Sequence, residues 1–219
     1  MTKKLIVLAS GSPRRIDILT DLALDFIIRA SDEDEIVKDA MTPPDVVLEL
    51  ARAKAERVLF LLEHEPTEAE EEKLDQADQL IILAADTIVV FDQKILGKPK
   101  DVPDACKMLA SLAGNMHVVF TGVQVIHLGK QAGEKRWHVL ERMSDVDESR
   151  VFFDPLTSEE IEAYVATGEP MDKAGSYAVH GIGSFMVAKI DGCHTNVIGL
   201  PVPKTIKMLR KAGIKVMGK

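Results

Sequence analysis

Leu5-Ile6-Val7-Leu8-Ala9-Ser10-Gly11-Ser12-Pro13-Arg14-Arg15 is the stretch from which the rest of the chain is read. An apolar run from Leu5 to Leu8, a turn of small residues and a helical pattern over Ile16 to Leu22 spell strand, turn, helix. Ser12 suits the N-cap and Pro13 the first helical position, where its missing N–H is not needed. Arg14 and Arg15 then bring the wrong charge to a helix N-terminus, where each cation costs about 0.3–1 kcal/mol. An anion repairs that conflict. Loop N–H groups, the helix end and two guanidinium forks would converge on one, phosphate above all. A solvated pair of surface arginines is the plainer alternative. The Gly-Lys-Ser/Thr of a Walker loop is absent from this stretch.

A chain of 219 residues suits a single domain over 1–219, which buries roughly 70% of its unfolded surface. Its composition, 46% hydrophobic and 28% charged, is that of a globular protein. No apolar run reaches the ~18 residues of a membrane span, and Met1 to Lys4 lead into too short a run for a signal peptide, so no membrane partner is expected. Cys106 and Cys193 fit no zinc or redox spacing and read as core thiols, which predicts a reducing, cytoplasmic setting. The net charge of −8 is local: residues 63–78 hold eight acids and one lysine, a net of −7, and the remainder carries −1. That run predicts a solvated or disordered surface insertion, with a partner-binding segment as the sharper reading. No basic stripe with interleaved aromatics is present, so nucleic acid is not an expected partner.

Asp25 to Ala30 reads as a second strand, and Thr42-Pro43-Pro44-Asp45 opens a long helix with a cap and an acid three residues on. Val47, Leu50, Ala51, Val58 and Leu61 line one face of it, and Lys54 takes the i+7 place on that face. Lys54 either snorkels to the edge or aims its ammonium into a cleft. Leu80 to Phe91 is apolar on both faces, as a strand covered on both sides would be, and Asp86 interrupts it. A buried, unpaired carboxylate costs several kcal/mol, so a metal ion or a basic partner is expected there, unless Asp86 is a structural residue at a strand end or bulge. Asp92-Gln93 turns the chain into Lys94 to Pro99, and Asp101 to Ala113 is a helix. Asn115–Leu128 and Trp137–Phe153 are two long strands. A helix from Leu156 to Val165, a glycine-rich loop from Thr167 to Gly183, a strand from Phe185 to Ile190 and a helix from Val202 to Ala212 finish the chain.

Arg14, Arg15, Lys54 and Lys98 are thus cations on apolar or glycine-rich segments, and Glu35 and Asp86 are carboxylates able to hold a divalent cation. A nucleoside triphosphate with Mg²⁺ calls for that combination. Here the sequence resembles the Maf nucleotide pyrophosphatases, once described as septum-formation proteins. The match runs through Ala9 to Arg15, Ser31-Asp32 with Asp34-Glu35, Leu50-Ala51 with Lys54-Ala55, Ala84 to Thr87, Leu96 to Pro99 and Thr121 to Val123. It continues through Tyr164 to Gly168, Asp172 to Gly175, and Asn196-Val197 with Gly199 to Pro201.

The resemblance implies an α/β fold of the Maf and ITPase-like kind: a mixed, largely twisted sheet flanked by helices, two lobes around a central cleft, often a homodimer. It implies cleavage of a nucleoside triphosphate, dTTP or UTP or a modified relative, into monophosphate and pyrophosphate. The cofactor would be a divalent metal, Mg²⁺ first and Mn²⁺ second, and the role pool sanitising or division control. Residue by residue it assigns Asp86, Lys54, Lys98 and Glu35 to catalysis, with Asp86 and Glu35 on the metal. Ser10, Arg14 and Arg15 would grip phosphate, and Thr87 would take part in substrate choice. His180 stands where the pattern has glutamine before a Gly-x-Gly loop, so base preference stays open there. The rival is a non-catalytic nucleotide-binding regulator of cell division, which needs the arginine turn but has no use for an aspartate inside a strand.

Overall fold

The apolar run at the start of the chain is strand β1 (Lys4–Leu8), and the proline-led turn after it opens helix α1 (Pro13–Asp21). The computed structural model describes residues 2–31, 41–130 and 136–216. After α1 come β2 (Phe26–Ile28), α2 (Pro43–His64), α3 (Glu68–Gln76), β3 (Gln79–Phe91), β4 (Lys94–Leu96) and α4 (Val102–Leu112). Then follow β5 (Met116–Gly129), β6 (His138–Phe153), α5 (Ser158–Ala166), β7 (Val187–Asp191), α6 (His194–Ile198) and α7 (Val202–Lys211). The seven strands form one sheet in the order β2-β1-β3-β5-β6-β7, with β4 beside β3. β1 runs parallel to β2 and β3, whereas β4 and β7 are antiparallel to their neighbours, so the sheet is mixed as expected.

The chain divides into two compact units, one of residues 1–86, 122–146 and 202–219, the other of residues 87–121 and 147–201. In the first, β1 lies between β2 and β3, with Leu8 level with Ile28 on one side and Leu83 on the other. Parallel strands are covered on both faces, and Leu80 to Leu83 are accordingly buried outright. Thr42 caps α2 by accepting from the Asp45 N–H, and Val47, Leu50, Ala51 and Val58 form its buried face. Gly122 lets the backbone of α2 reach β5: a Cβ there would stand 2.4 Å from the Val47 carbonyl oxygen.

The acidic run at 63–78 is not disordered. It folds into the end of α2 and all of α3, and three local interactions explain why. Thr67 and Glu70 form a reciprocal capping box, Leu74 is buried in the core with Val58 and Leu62, and Arg29 binds the buried Glu70 carboxylate at 3.1 Å. The exposed acids of α3, Glu68, Glu71, Glu72 and Asp75, do not prevent a helix that has one apolar anchor and a cap.

The second unit packs α4 and α5 on Val89, Val119, Val151 and Phe153 of the long strands, with Tyr164, Tyr177 and Met186 filling the interior. Thr167–Gly183 is more ordered than a loop: short 3₁₀ turns cover Glu169–Asp172 and Ala174–Ser176, and a third, Gly181–Met186, delays β7 to Val187. Helix α6 has five residues, too short for a periodic signal in the sequence. Cys106 and Cys193 are free and half-buried rather than core residues.

Candidate active site

From β1 the chain passes through α1 to β2 on one side, then through α2 and α3 to β3 on the other. β1 is therefore where strand order reverses. In open α/β sheets ligands bind outside the carboxyl ends of the strands at such a point. Within the first unit that end carries the Ala9–Arg15 turn, which leaves β1 there. The Ala9 N–H continues the ladder to the Leu83 carbonyl at 2.8 Å, and Asp86 lies three residues further along β3.

The turn is knitted around Ser10. Its buried hydroxyl oxygen accepts from the Ser12 N–H at 3.2 Å and from Arg15 Nη1 at 3.1 Å, which leaves the hydroxyl proton to be donated elsewhere. Ser12 does occupy the N-cap with extended backbone, but its side chain makes no capping bond; Ser10 has taken the fastening role. Arg14 and Arg15 follow Pro13 in the first helical turn, both half-buried, and no acid accompanies them there.

Asp86 is 5% exposed, and its charge is met by Lys54: Nζ donates to Oδ1 in a tight ion pair between α2 and β3. The Lys54 ammonium is thus turned onto this carboxylate rather than out to solvent. Lys54 lies on the apolar face of α2, between the buried Ala51 and Ala55, and that face carries it to the carboxylate. This pairing also explains an aspartate inside a buried strand, since removing one partner of a buried pair strands the other at a cost of about 3–5 kcal/mol. Glu35 lies outside the described residues.

Thr87, Lys98 and His180 belong to the second unit. Successive strand residues project to opposite faces, so Asp86 and Thr87 meet different neighbours. Half-buried Thr87 shares a hydrogen bond with Thr121 Oγ1 at 2.9 Å, and Thr121 donates to the Asn196 carbonyl at 2.9 Å. Because a carbonyl brings no proton, Thr121 must spend its own on Asn196 and accept from Thr87. Asn196 is fixed in turn, its amide donating to Val119 O at 3.0 Å and Ser149 Oγ at 2.9 Å. Lys98 is exposed, ahead of the buried Pro99, and His180 is exposed at the head of the Gly181–Met186 turn.

Among the described residues no group of three His, Cys, Asp or Glu side chains is placed to hold a metal ion. Mg²⁺ does not require one: it is commonly held by one or two carboxylates together with substrate phosphates. The hard oxygens of buried Asp86 fit that manner of binding.

Residues 5–212 match the profile of the family described as Maf-like protein. The chain belongs to the Maf family. Among its Maf relatives, a dTTP/UTP pyrophosphatase of Pelotomaculum thermopropionicum is 41% identical over 98% of this chain and 100% of its own length. Another, from Agathobacter rectalis, is 39% identical over 96% of this chain and 98% of its own. A crystal structure of a nucleoside-triphosphatase / dITP/XTP pyrophosphatase from Mycobacterium abscessus aligns with 94% of each chain at 9% identity and a TM-score of 0.36, too distant to bear on the site.

Within this Maf chain, Thr121 and Asn196 lie in segments that carry the family resemblance, yet sequence reasoning assigned them no role. The signal was a threonine between apolar strand residues and an asparagine before Gly199. Neither says which partner it finds, because both bonds join residues at least 34 positions apart. No helix among the described residues is long and apolar enough to cross a membrane.

Proposed function

We propose that this chain hydrolyses a nucleoside triphosphate to the monophosphate and pyrophosphate, with dTTP and UTP as the substrates to test first. The observation that carries the reading is the largely buried Lys54–Asp86 pair on β3, three residues past the level at which β1 ends and gives way to a turn that sets two arginines at a helix N-terminus. The dTTP/UTP pyrophosphatase names of relatives about 40% identical over nearly the whole chain support the same activity.

In this mechanism Ser10, Arg14 and Arg15 take the phosphate oxygens through a hydroxyl proton and two guanidinium groups. Lys54 and Lys98 add charge neutralisation as negative charge builds on the departing pyrophosphate. Asp86 accepts a proton from the water that attacks the α-phosphorus; the bond to the bridging oxygen breaks, and pyrophosphate leaves with that electron pair. A divalent metal ion, Mg²⁺ in preference to Mn²⁺, would be held by Asp86 and Glu35 and would supply further polarisation of the phosphates. Thr87 and His180 would act in the choice of base. The protein would work in the cytoplasm as a homodimer, in clearing nucleotide pools or restraining division.

Pyrophosphate release from a panel of ribo- and deoxynucleoside triphosphates with Mg²⁺ tests the proposal. Turnover of UTP and dTTP is expected. Binding without turnover of any triphosphate would instead favour a nucleotide-dependent regulator.

A further inference from the structure

β6 runs for 16 residues, yet only residues 150–153 pair with β7. Among the described residues no strand lies beside 138–149 on that side, so the sheet has a long open border there. An unpaired row of N–H and C=O groups is a template for a further strand. Val146 shows which groups face outward: its N–H donates to Asp145 Oδ1 at 2.8 Å and its carbonyl accepts from Lys204 Nζ, so β5 takes neither. Side chains alternate regularly just before it. Glu141 and Asp145 reach Lys211 and Lys204 of α7, whereas Arg142 reaches Glu56 of α2. The backbone groups of Leu140, Arg142 and Ser144 therefore point the same way as those of Val146.

Asp145 and Lys204 block pairing at Val146, but ahead of them the border carries apolar side chains: Val139 is 39% exposed and Leu140 55% exposed. Beside Ser144 on the α2 side is an open hollow of about 500 Å³, with Met41, Leu48 and the buried Gln124 in its lining. It has room for an apolar side chain brought from outside. The chain as a whole carries −8, which keeps two copies apart over most of their surface. Between Val139 and Ser144 the only charges are Glu141 and Arg142, which cancel, and each is already matched within the chain, by Lys211 and by Glu56. This border is where a second copy meets little repulsion.

We propose that the border is an interface between two copies of the chain, paired antiparallel about a two-fold axis at Arg142, with Leu140 of each copy seated in the hollow of the other. Leu140 then exchanges backbone bonds with Ser144 of the copy, Arg142 with Arg142, and Ser144 with Leu140. The next pair would need Val146, whose groups are spent, so the ladder ends there. Of the possible axes only this one sets Leu140 opposite Ser144, and the two guanidinium groups meet at it with Glu56 beside each. The inference deepens the homodimer of the reading above by naming its surface, and it uses no residue of the catalytic group.

Sedimentation velocity of the full-length protein from about 1 to about 100 μM reads the association. A dimer is expected to form within that range. Leu140→Lys puts a charge on the border and should weaken the dimer about tenfold or more without moving the urea midpoint. Register is read by cross-linking. In the proposed pairing Arg142→Cys faces its own counterpart with Cα atoms about 5.5 Å apart, within disulfide reach, and should join two chains faster than Glu141→Cys or Ser144→Cys. Amide hydrogen exchange at Leu140 and Ser144 should slow as protein concentration rises. A protein that stays monomeric throughout overturns both this inference and the homodimer. A dimer that Leu140→Lys leaves intact, or one that cross-links best elsewhere, overturns this surface and leaves a homodimer formed through another. Should Leu140→Lys fail to fold, the cysteine series and the exchange measurement still decide. Pyrophosphate release reports on hydrolysis separately from all of these.

Discussion

Asp86→Asn keeps the shape of the side chain and removes its basicity. It is expected to lower kcat by about 100-fold or more while leaving nucleotide binding largely intact, as losses of a general base do; a wild-type steady-state rate would reject the assignment. His180→Gln restores the residue of the family pattern and should shift preference among bases with little change in kcat, which a turnover panel would reveal. An identical preference profile would remove His180 from recognition. The carboxylate could be picked out in advance because an aspartate among Leu80 to Phe91 conflicts with everything around it. The identity of its partner could not, since Lys54 is equally at home snorkelling from a helix edge. Glu169 gave no such conflict: an acid beside Gly168 reads as an ordinary turn, and only the folded path of residues 178–183 reveals that it accepts from the N–H groups of Ile182 and Gly183.

Among the elements, α3 is the instructive case. Charge counting predicts a solvated or disordered stretch there, yet Leu74 is buried and Glu70 is bonded to Arg29. Leu74→Ala is expected to destabilise the protein by about 2–5 kcal/mol through lost burial and a cavity, readable as a lower urea midpoint. Thr67→Ala, which removes only the cap, should cost about 1 kcal/mol. Excising residues 65–76 removes both anchors and should yield an aggregated or markedly less stable product; a deletion with wild-type stability would show that α3 is dispensable. The long helix α2 and the strands β5 and β6 were readable because length and periodicity reinforce each other over a dozen residues or more, and β3 because its apolar run is long and uninterrupted but for Asp86. The short 3₁₀ turns and α6 were not, because their geometry is imposed by contacts made from outside the segment, such as the Gly175 N–H bond to the Gly97 carbonyl at 3.1 Å.

For the molecule as a whole, acid stability should carry the mark of His117. It is 1% exposed, bonded through Nε2 to the Tyr177 hydroxyl at 2.7 Å and edge-on to Phe153, and burial lowers its pKa to about 4. The unfolded chain, with a histidine near its ordinary value, takes up the proton first, so the stability present above about pH 6.5 is lost as pH falls toward 4. Between pH 7 and pH 5 the loss amounts to about 2 kcal/mol. Urea unfolding at the two pH values should show that share of the decline disappearing in His117→Gln, and an equal decline in both proteins would contradict it.

The sheet also has an outline. Its outermost strands are the three-residue β2, the three-residue β4, and β7, which carries Lys189 and Asp191. Borders this brief or this charged offer little ladder for an incoming strand. At β2, β4 and β7 the sheet thereby gives a second copy of the chain little backbone to pair with.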